Sequence, residues 1–400
     1  MEYAPHLAQF RRLLAMVQGD RAEFAAAQPF ELPADIYWRP ERFAAEMEAV
    51  FRRLPQVLGH AALLPKPGDT LVADLPDRPL LLVRGRDGEI RGFLNVCRHR
   101  GTRLCNRGER DNALGVQRHS GFTCRYHHWT YDLDGRLKHV PLADSFPGLD
   151  PATRGLTPVP LAVREGVIFG IPQADAAGAG ATDIDGFLQG LDADLAVFGF
   201  AGLHAYARAV TRRRTNWKLV IDAFLESYHV VRLHRNTVGP FFLDAMAVMD
   251  CIGPHTRSAV ARQEFGTIAG LPEAQWNDRL HASFAYLLFP NTVLVIHPDY
   301  VSILTLFPLA ADETEICHVM LTPHAPRDER EDAHWQRSFR MIEGGVFQAE
   351  DLQVAEQAQI GMASGANRTL VYGRHEAGIR HFHAALDARL GTTGIMDRPG

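Results

Sequence analysis

Four residues on two short segments carry the first recognisable chemistry. Cys97-Arg98-His99 and Cys124-Arg125-Tyr126-His127 each set one thiol close to one imidazole. Two thiolates and two imidazoles suit a tetrahedral zinc ion. They also suit a [2Fe–2S] cluster in which both cysteines bind one iron and both histidines the other. Neutral imidazoles leave such a cluster less negative than four thiolates would and raise its potential, as an electron carrier requires. The tight Cys-x-x-His spacing selects His127 over its neighbours His119 and His128. Cys105, between the two segments, reads as a small buried hydrophobe.

A second constellation lies about 100 residues downstream: Asp222, Glu226, His229 and His234. Two imidazoles and a carboxylate that leave open positions form the facial triad of non-haem Fe(II). On a helix, Glu226 and His229 share a face. His229 and His234, five residues apart, would lie about 140° apart round a straight helix, so the helix must distort or end before His234 for both to bind one ion. Taken alone, such a pair is more often one core and one surface histidine. Candidates for the carboxylate are Asp244, Asp250, Asp312 and Asp351. A carboxylate that fixes a histidine tautomer from behind is a role open to Asp222 or Glu226.

The elements that must position these groups differ along the chain. Apolar spacing predicts one helix within 5–27 and another over 40–53. From Gly68 short β-like runs take over (70–73, 80–83, 92–96), with hairpin signals at Arg86-Asp87-Gly88 and Asp134-Gly135. An Ala/Gly-rich stretch at 174–181 reads as a linker. Beyond it, 284–289, 292–297, 301–307 and 315–321 read as an antiparallel meander, flanked by helical patterns at 216–231 and 331–361. A net charge of −5 gives no reason to expect nucleic acid or an anionic membrane as partner. The run Arg212-Arg213-Arg214 reads as a solvated strand end. No 18-residue apolar stretch exists, there is no secretory-type N-terminus, and five cysteines do not make a disulfide framework, so a cytoplasmic protein with reduced thiols is expected.

Both metal motifs resemble one family. "NVCRHRGTRLC" (95–105) and "FTCRYHHWTYDLDGRL" (122–137) are similar to the cluster loops of the Rieske non-haem iron oxygenases, and "NWK…E.YH….H" (216–234) resembles the catalytic motif of the same terminal oxygenases. The resemblance runs from about Tyr37 to Leu386. It departs from the family in a longer segment between the loops, near 106–120, in Arg125 and His128 where proline and glycine are common, and in Ala223 where asparagine is common. It implies an α+β chain: a β-rich Rieske [2Fe–2S] domain and a helix-grip (START-like) catalytic domain with a seven-stranded antiparallel sheet. The implied limits are 1–54 for N-terminal helices packing on the catalytic domain, 55–165 for the Rieske domain and 166–400 for the catalytic domain. The implied cluster ligands are Cys97, His99, Cys124 and His127. The implied iron ligands are His229, His234 and, from "AEDLQVAEQAQIG" (349–361), Asp351. Glu226 matches the family's acidic bridge between an iron ligand and a Rieske histidine of a neighbouring subunit, which implies a homotrimer, with or without a small β subunit.

The function that follows from the resemblance is a terminal oxygenase. It would use O2 and electrons from an NAD(P)H-dependent reductase or ferredoxin to hydroxylate or oxidatively demethylate a small aromatic, amine or acid. The alternative within the family is a cis-dihydroxylating α subunit. The alternative outside it is a non-catalytic electron-transfer or binding protein built on a zinc-type site. Phe241, Phe242, Met246, Met249 and the strands after Phe284 are the candidate pocket walls, each with an equal claim to plain core packing.

Overall fold

The computed structural model describes residues 1–20, 22–23, 27–75, 78–109, 112–171 and 183–392. Two units emerge, Arg52–Arg208 and Met1–Phe51 with Ala209–Gly400.

The Arg52–Arg208 unit is built from three antiparallel sheets. The largest runs, in spatial order, Pro158–Val159, Ile90–Leu94, Leu80–Arg84, Asp69–Val72 and Val116–Arg118. Leu80, Leu81, Leu82 and Val83 form an unbroken apolar run and are all buried, which is why this strand lies in the middle. A second sheet joins Leu161–Arg164, Val167–Gly170 and Gln56–His60. The third is a small meander of Phe122–Thr123, Thr130–Tyr131 and Leu137–His139. Its second hairpin turns at Gly135, where φ is +84° and a Cβ would collide with the Phe93 ring. The unit runs on past the expected limit at 165. Val167–Gly170 is held between two partner strands, and the helices Ile184–Leu188 and Leu191–Val197 also fall within it. The expected linker at 174–181 lies outside the described residues.

The other unit carries a seven-stranded antiparallel sheet in the order His204–Arg213, Glu313–Thr322, Val301–Ala310, Thr292–Ile296, Ala282–Leu288, His255–Arg262, Phe242–Ile252. Phe242 to Thr322 is thus a meander of neighbours in sequence. The helix Ala4–Val17 packs Phe10 against Phe265 and Phe284, and its buried Gln9 donates to the Arg257 carbonyl at 2.9 Å. The second N-terminal helix, Pro40–Glu46, widens into a π turn over Met47–Phe51.

A buried ionic network seats the helix Trp217–Phe224. The Glu46 carboxylate accepts from Lys218 Nζ at 2.9 Å, Trp217 Nε1 at 3.1 Å and Arg42 Nε at 2.8 Å. Burial alone would push the Glu46 carboxyl up; the Lys218 and Arg42 cations outweigh it and hold it below its ordinary value. Such a network stabilises only while complete, because a lone charge left at this depth is strongly destabilising. Among the described residues no helix is long and apolar enough to cross a membrane.

Candidate active site

In the Arg52–Arg208 unit, Cys97 and Cys124 are buried free thiols in one apolar cluster with Phe93, Trp129 and Tyr131. Each sits in a tight loop: Gly101 N donates to Cys97 O at 3.0 Å, and His128 N to Cys124 O at 2.9 Å. The same loops bring the His99 and His127 rings to 4.6 Å between centroids, with Trp129 stacked on His99 at 4.8 Å. Both histidines are half-buried, and His127 Nδ1 is buried without a hydrogen-bond partner. The Tyr131 hydroxyl accepts from Arg98 N at 2.9 Å and so directs its own proton at Cys97 Sγ, 3.3 Å away. Burial raises the Cys97 thiol pKa despite that hydrogen bond, so a thiolate here calls for a cation.

A single zinc would need all four ligand atoms close together. Among the described residues, the group whose ligand atoms lie within 4.8 Å of one another is His229, His234 and Asp351; the two cysteines and two histidines do not converge on one point in this way. That arrangement suits a two-iron cluster with thiolates at one end and imidazoles at the other. His119, set aside as a ligand on spacing, hydrogen-bonds Gln117 Oε1 at 2.9 Å instead.

In the other unit the helix Trp217–Phe224 stops before the motif, and a short helix resumes at Val230–Leu233. His229 and His234 therefore cap the two ends of a four-residue helix, which is how residues five apart turn to one ion. Asp351 ends a long π-helical segment, Arg340–Asp351, between the α-helices Glu329–Phe339 and Leu352–Ala363. π-helical turns are frequent at functional sites. Here the winding delivers two adjacent carboxylates to two different atoms of one histidine.

Glu350 Oε2 meets His234 Nδ1 at 2.8 Å and is braced by Thr237 Oγ1 at 2.7 Å. Glu226 likewise hydrogen-bonds His229 Nδ1 through Oε1, and its Oε2 accepts from the backbone N–H groups of Tyr228 and His229. A carboxylate facing Nδ1 keeps the proton there. Both Nε2 lone pairs then face Asp351 Oδ1, at 3.8 Å from His229 and 3.1 Å from His234. Asp351 Oδ1 is buried and has no hydrogen bond. Three converging lone pairs repel unless a cation sits among them, so the residues present fit an iron ion. Although burial lowers the His234 pKa, the Asp351 and Glu350 carboxylates outweigh it and raise it, an expression of the same pull on positive charge.

Two of the other candidate carboxylates are engaged in ion pairs. Asp244 pairs with Arg232 and Asp250 with Arg12 and Arg257. Asp222 does not touch an iron-site histidine: it accepts from Tyr37 at 2.6 Å and lies 3.1 Å from His383 Nε2. The tautomer role considered for it belongs to Glu226 and to Glu350. Sequence reasoning missed Glu350; the acid pair Glu350-Asp351 was the available signal. A cavity of about 540 Å³ opens beside the triad, walled by Phe242, Met249, Phe284 and Phe347 among others, with Ala245 and Ala247 rather than the expected Met246.

Comparison with known proteins agrees with both centres. Residues 55–156 match the Rieske [2Fe-2S] domain, and residues 200–392 match the ring hydroxylating alpha subunit catalytic domain. The chain is 30% identical over 393 residues to the glycine betaine monooxygenase oxygenase subunit of Chromohalobacter salexigens, covering 88% of this chain and 84% of that protein. It belongs to the Rieske terminal oxygenases. The carnitine monooxygenase oxygenase subunit of Escherichia coli is 28% identical, covering 90% of this chain and 93% of that protein. Among solved structures, the quaternary ammonium Rieske monooxygenase CntA superposes with a TM-score of 0.75 at 22% identity, covering 90% and 94% of the two chains. Naphthalene 1,2-dioxygenase from Rhodococcus sp. gives a TM-score of 0.75 at 22% identity, covering 100% of both. As a Rieske terminal oxygenase the protein works with a [2Fe–2S] cluster, a mononuclear iron and electrons from a reductase.

Proposed function

We propose that this oxygenase monohydroxylates or oxidatively demethylates a small organic acid or amine, with electrons from an NAD(P)H-dependent reductase, directly or through a ferredoxin. In this reading Cys97, His99, Cys124 and His127 hold the cluster, and His229, His234 and Asp351 hold the iron. The observation that carries it is the convergence of the two Nε2 atoms on the orphaned Asp351 Oδ1. The relatives named for glycine betaine and carnitine support the substrate class. When bound, the cluster supplies electrons and the ferrous ion activates O2.

The chain's own residues do the rest. Glu226 and Glu350 hold the Nδ1 protons of His229 and His234, leaving both Nε2 atoms free for the ion. Phe242 and Phe347 exclude water from the substrate. Glu226 Oε1 keeps a free lone pair beyond its bond to His229, as a carboxylate bridge to a second histidine requires. This supports a homotrimer in which Glu226 links the iron site to the cluster of the next subunit, a point that sedimentation analysis checks. A second reading, cis-dihydroxylation of an aromatic ring, is favoured by the aromatic walls of the cavity.

Coupled O2 uptake with a surrogate reductase, over methylated ammonium acids and aromatic acids, tests the proposal. Release of formaldehyde marks demethylation, and a dihydrodiol marks the second reading. His229→Ala should abolish uptake and leave the EPR signal of the reduced cluster intact. Loss of that signal together with turnover would contradict the assignment of residues to centres.

A further inference from the structure

The cavity beside the triad contains a second polar cluster, carried by the sheet rather than by the helices. Alternate residues of three neighbouring strands line it: Ser258, Val260 and Arg262; Ser283 and Ala285; Val295 and His297. Phe284 pairs with Ile296, so Ser283 and His297 flank that pair on the same side of the ladder. Ser283 Oγ and His297 Nε2 are both buried, and neither has a hydrogen-bond partner. A buried polar atom left unsatisfied is destabilising, and two of them facing one cavity call for a ligand.

The charge beside them is positive. The Arg262 guanidinium lies over the Phe241 and Phe242 rings, 5.7 and 5.6 Å from their centroids, and among the described residues no carboxylate pairs with it. The acids on the cavity wall are engaged elsewhere: Asp299 with His334 at 2.5 Å, Glu23 with Arg12, and Glu226 and Asp351 at the triad. The charged groups that act on His297 are His318, Arg262 and Arg279, all basic. Burial first, and these groups second, hold His297 down at about 3, so the imidazole is neutral and can donate from one ring nitrogen. Arg279 donates to the carbonyls of His297 and Tyr300 at 2.8 and 3.1 Å, which fixes the turn that presents the ring.

We infer that Arg262, His297 and Ser283 form an anchor for a carboxylate of the substrate. Arg262 supplies the charge, and the Ser283 hydroxyl and His297 Nε2–H donate to the carboxylate oxygens. The substrate is therefore an acid, held by its carboxylate at the sheet while another part of it reaches the triad wall. This rests on the reading of the cavity as the substrate pocket.

Calorimetric titration of the holoenzyme with two matched pairs tests it: γ-butyrobetaine against its primary amide, and 4-methoxybenzoate against 4-methoxybenzamide. At least one acid should bind about tenfold or more tightly than its amide, the scale of a charge-assisted hydrogen-bond pair. Arg262→Met should remove that preference, and Arg262→Lys should keep part of it. Ser283→Ala and His297→Phe should each weaken acid binding several-fold, and they carry the test if Arg262→Met does not fold. Failure of both acids to bind, equal binding of acid and amide, or a preference that survives in all four variants would overturn the anchor. Acid binding without reductase-coupled O2 uptake would count against the oxygenase reading and leave the anchor standing. Coupled uptake on the amides, with no preference for the acids, would do the reverse.

Discussion

His229 and His234 each turn Nδ1 to a carboxylate and Nε2 to a common point. The strength of the site therefore depends on residues that never touch the ion. Glu350→Gln should weaken iron binding about 10–100-fold, the usual cost of losing such support, while the cluster spectrum stays unchanged; competition with a chelator measures it. At the other centre, Tyr131→Phe removes the proton aimed at Cys97 Sγ and should lower the cluster's reduction potential, as read by spectroelectrochemistry. Cys97, His99, Cys124 and His127 stood out in the sequence because two loops repeat the same thiol–imidazole pair, and the structure brings the two imidazoles together at 4.6 Å. Glu350 was not, because a single residue's number along a helix says nothing about which of two adjacent acids faces which histidine nitrogen. Asp222 misled for a related reason: it shares a face with Glu226 on an ideal helix, but the real helix ends between them and sends Asp222 to Tyr37.

The breaks in the elements are what aim these side chains. Helical periodicity over 216–231 correctly suggested a helix, and the angle between His229 and His234 required it to fail, but the place of failure, after Phe224, has no Gly or Pro to mark it. The switch to π winding over Arg340–Asp351 is equally silent in the apolar pattern, although Gly344-Gly345 sits in its middle. The strands of the meander were the most readable part, since short apolar runs are punctuated by turn residues such as Pro290-Asn291 and Pro298-Asp299. One glycine shows how tightly the short helix is closed. Gly239 N donates to the His234 carbonyl at 2.8 Å, and a Cβ on Gly239 would stand 2.7 Å from that oxygen and 2.9 Å from its carbon. Gly239→Ala must push the backbone of His234 aside. It should destabilise the fold by about 1–3 kcal/mol, as overpacking does, and lower iron occupancy more than cluster occupancy; thermal melts with metal analysis check both.

At the scale of the molecule, composition and the two motifs conveyed the presence of two centres, and the division of the chain was harder to read. The resemblance implied a boundary at 165, whereas compactness places it at Arg208, because residues after 165 still pair with Gln56–His60. That same sheet supplies a pH-dependent element. His60 is buried, its Nδ1 accepts from Ala62 N at 3.2 Å, and burial holds its pKa at about 4 rather than 6.5. Between those values the unfolded chain binds the extra proton and the folded chain does not. Stability is therefore full above pH 6.5 and falls as pH drops toward 4, by roughly 3 kcal/mol for this group. His60→Asn, which keeps an acceptor for Ala62, should flatten that part of a denaturation profile taken across the range.

Two iron centres with separate ligand sets are the core of the mechanism, and metal analysis of wild type beside Asp351→Ala probes them most directly. Wild type should hold about three iron atoms and two acid-labile sulfides per chain, and the variant about two of each, with the reduced-cluster EPR signal unaltered. A variant that keeps its third iron, or that loses sulfide and the EPR signal along with it, would contradict the placement of the mononuclear site at His229, His234 and Asp351.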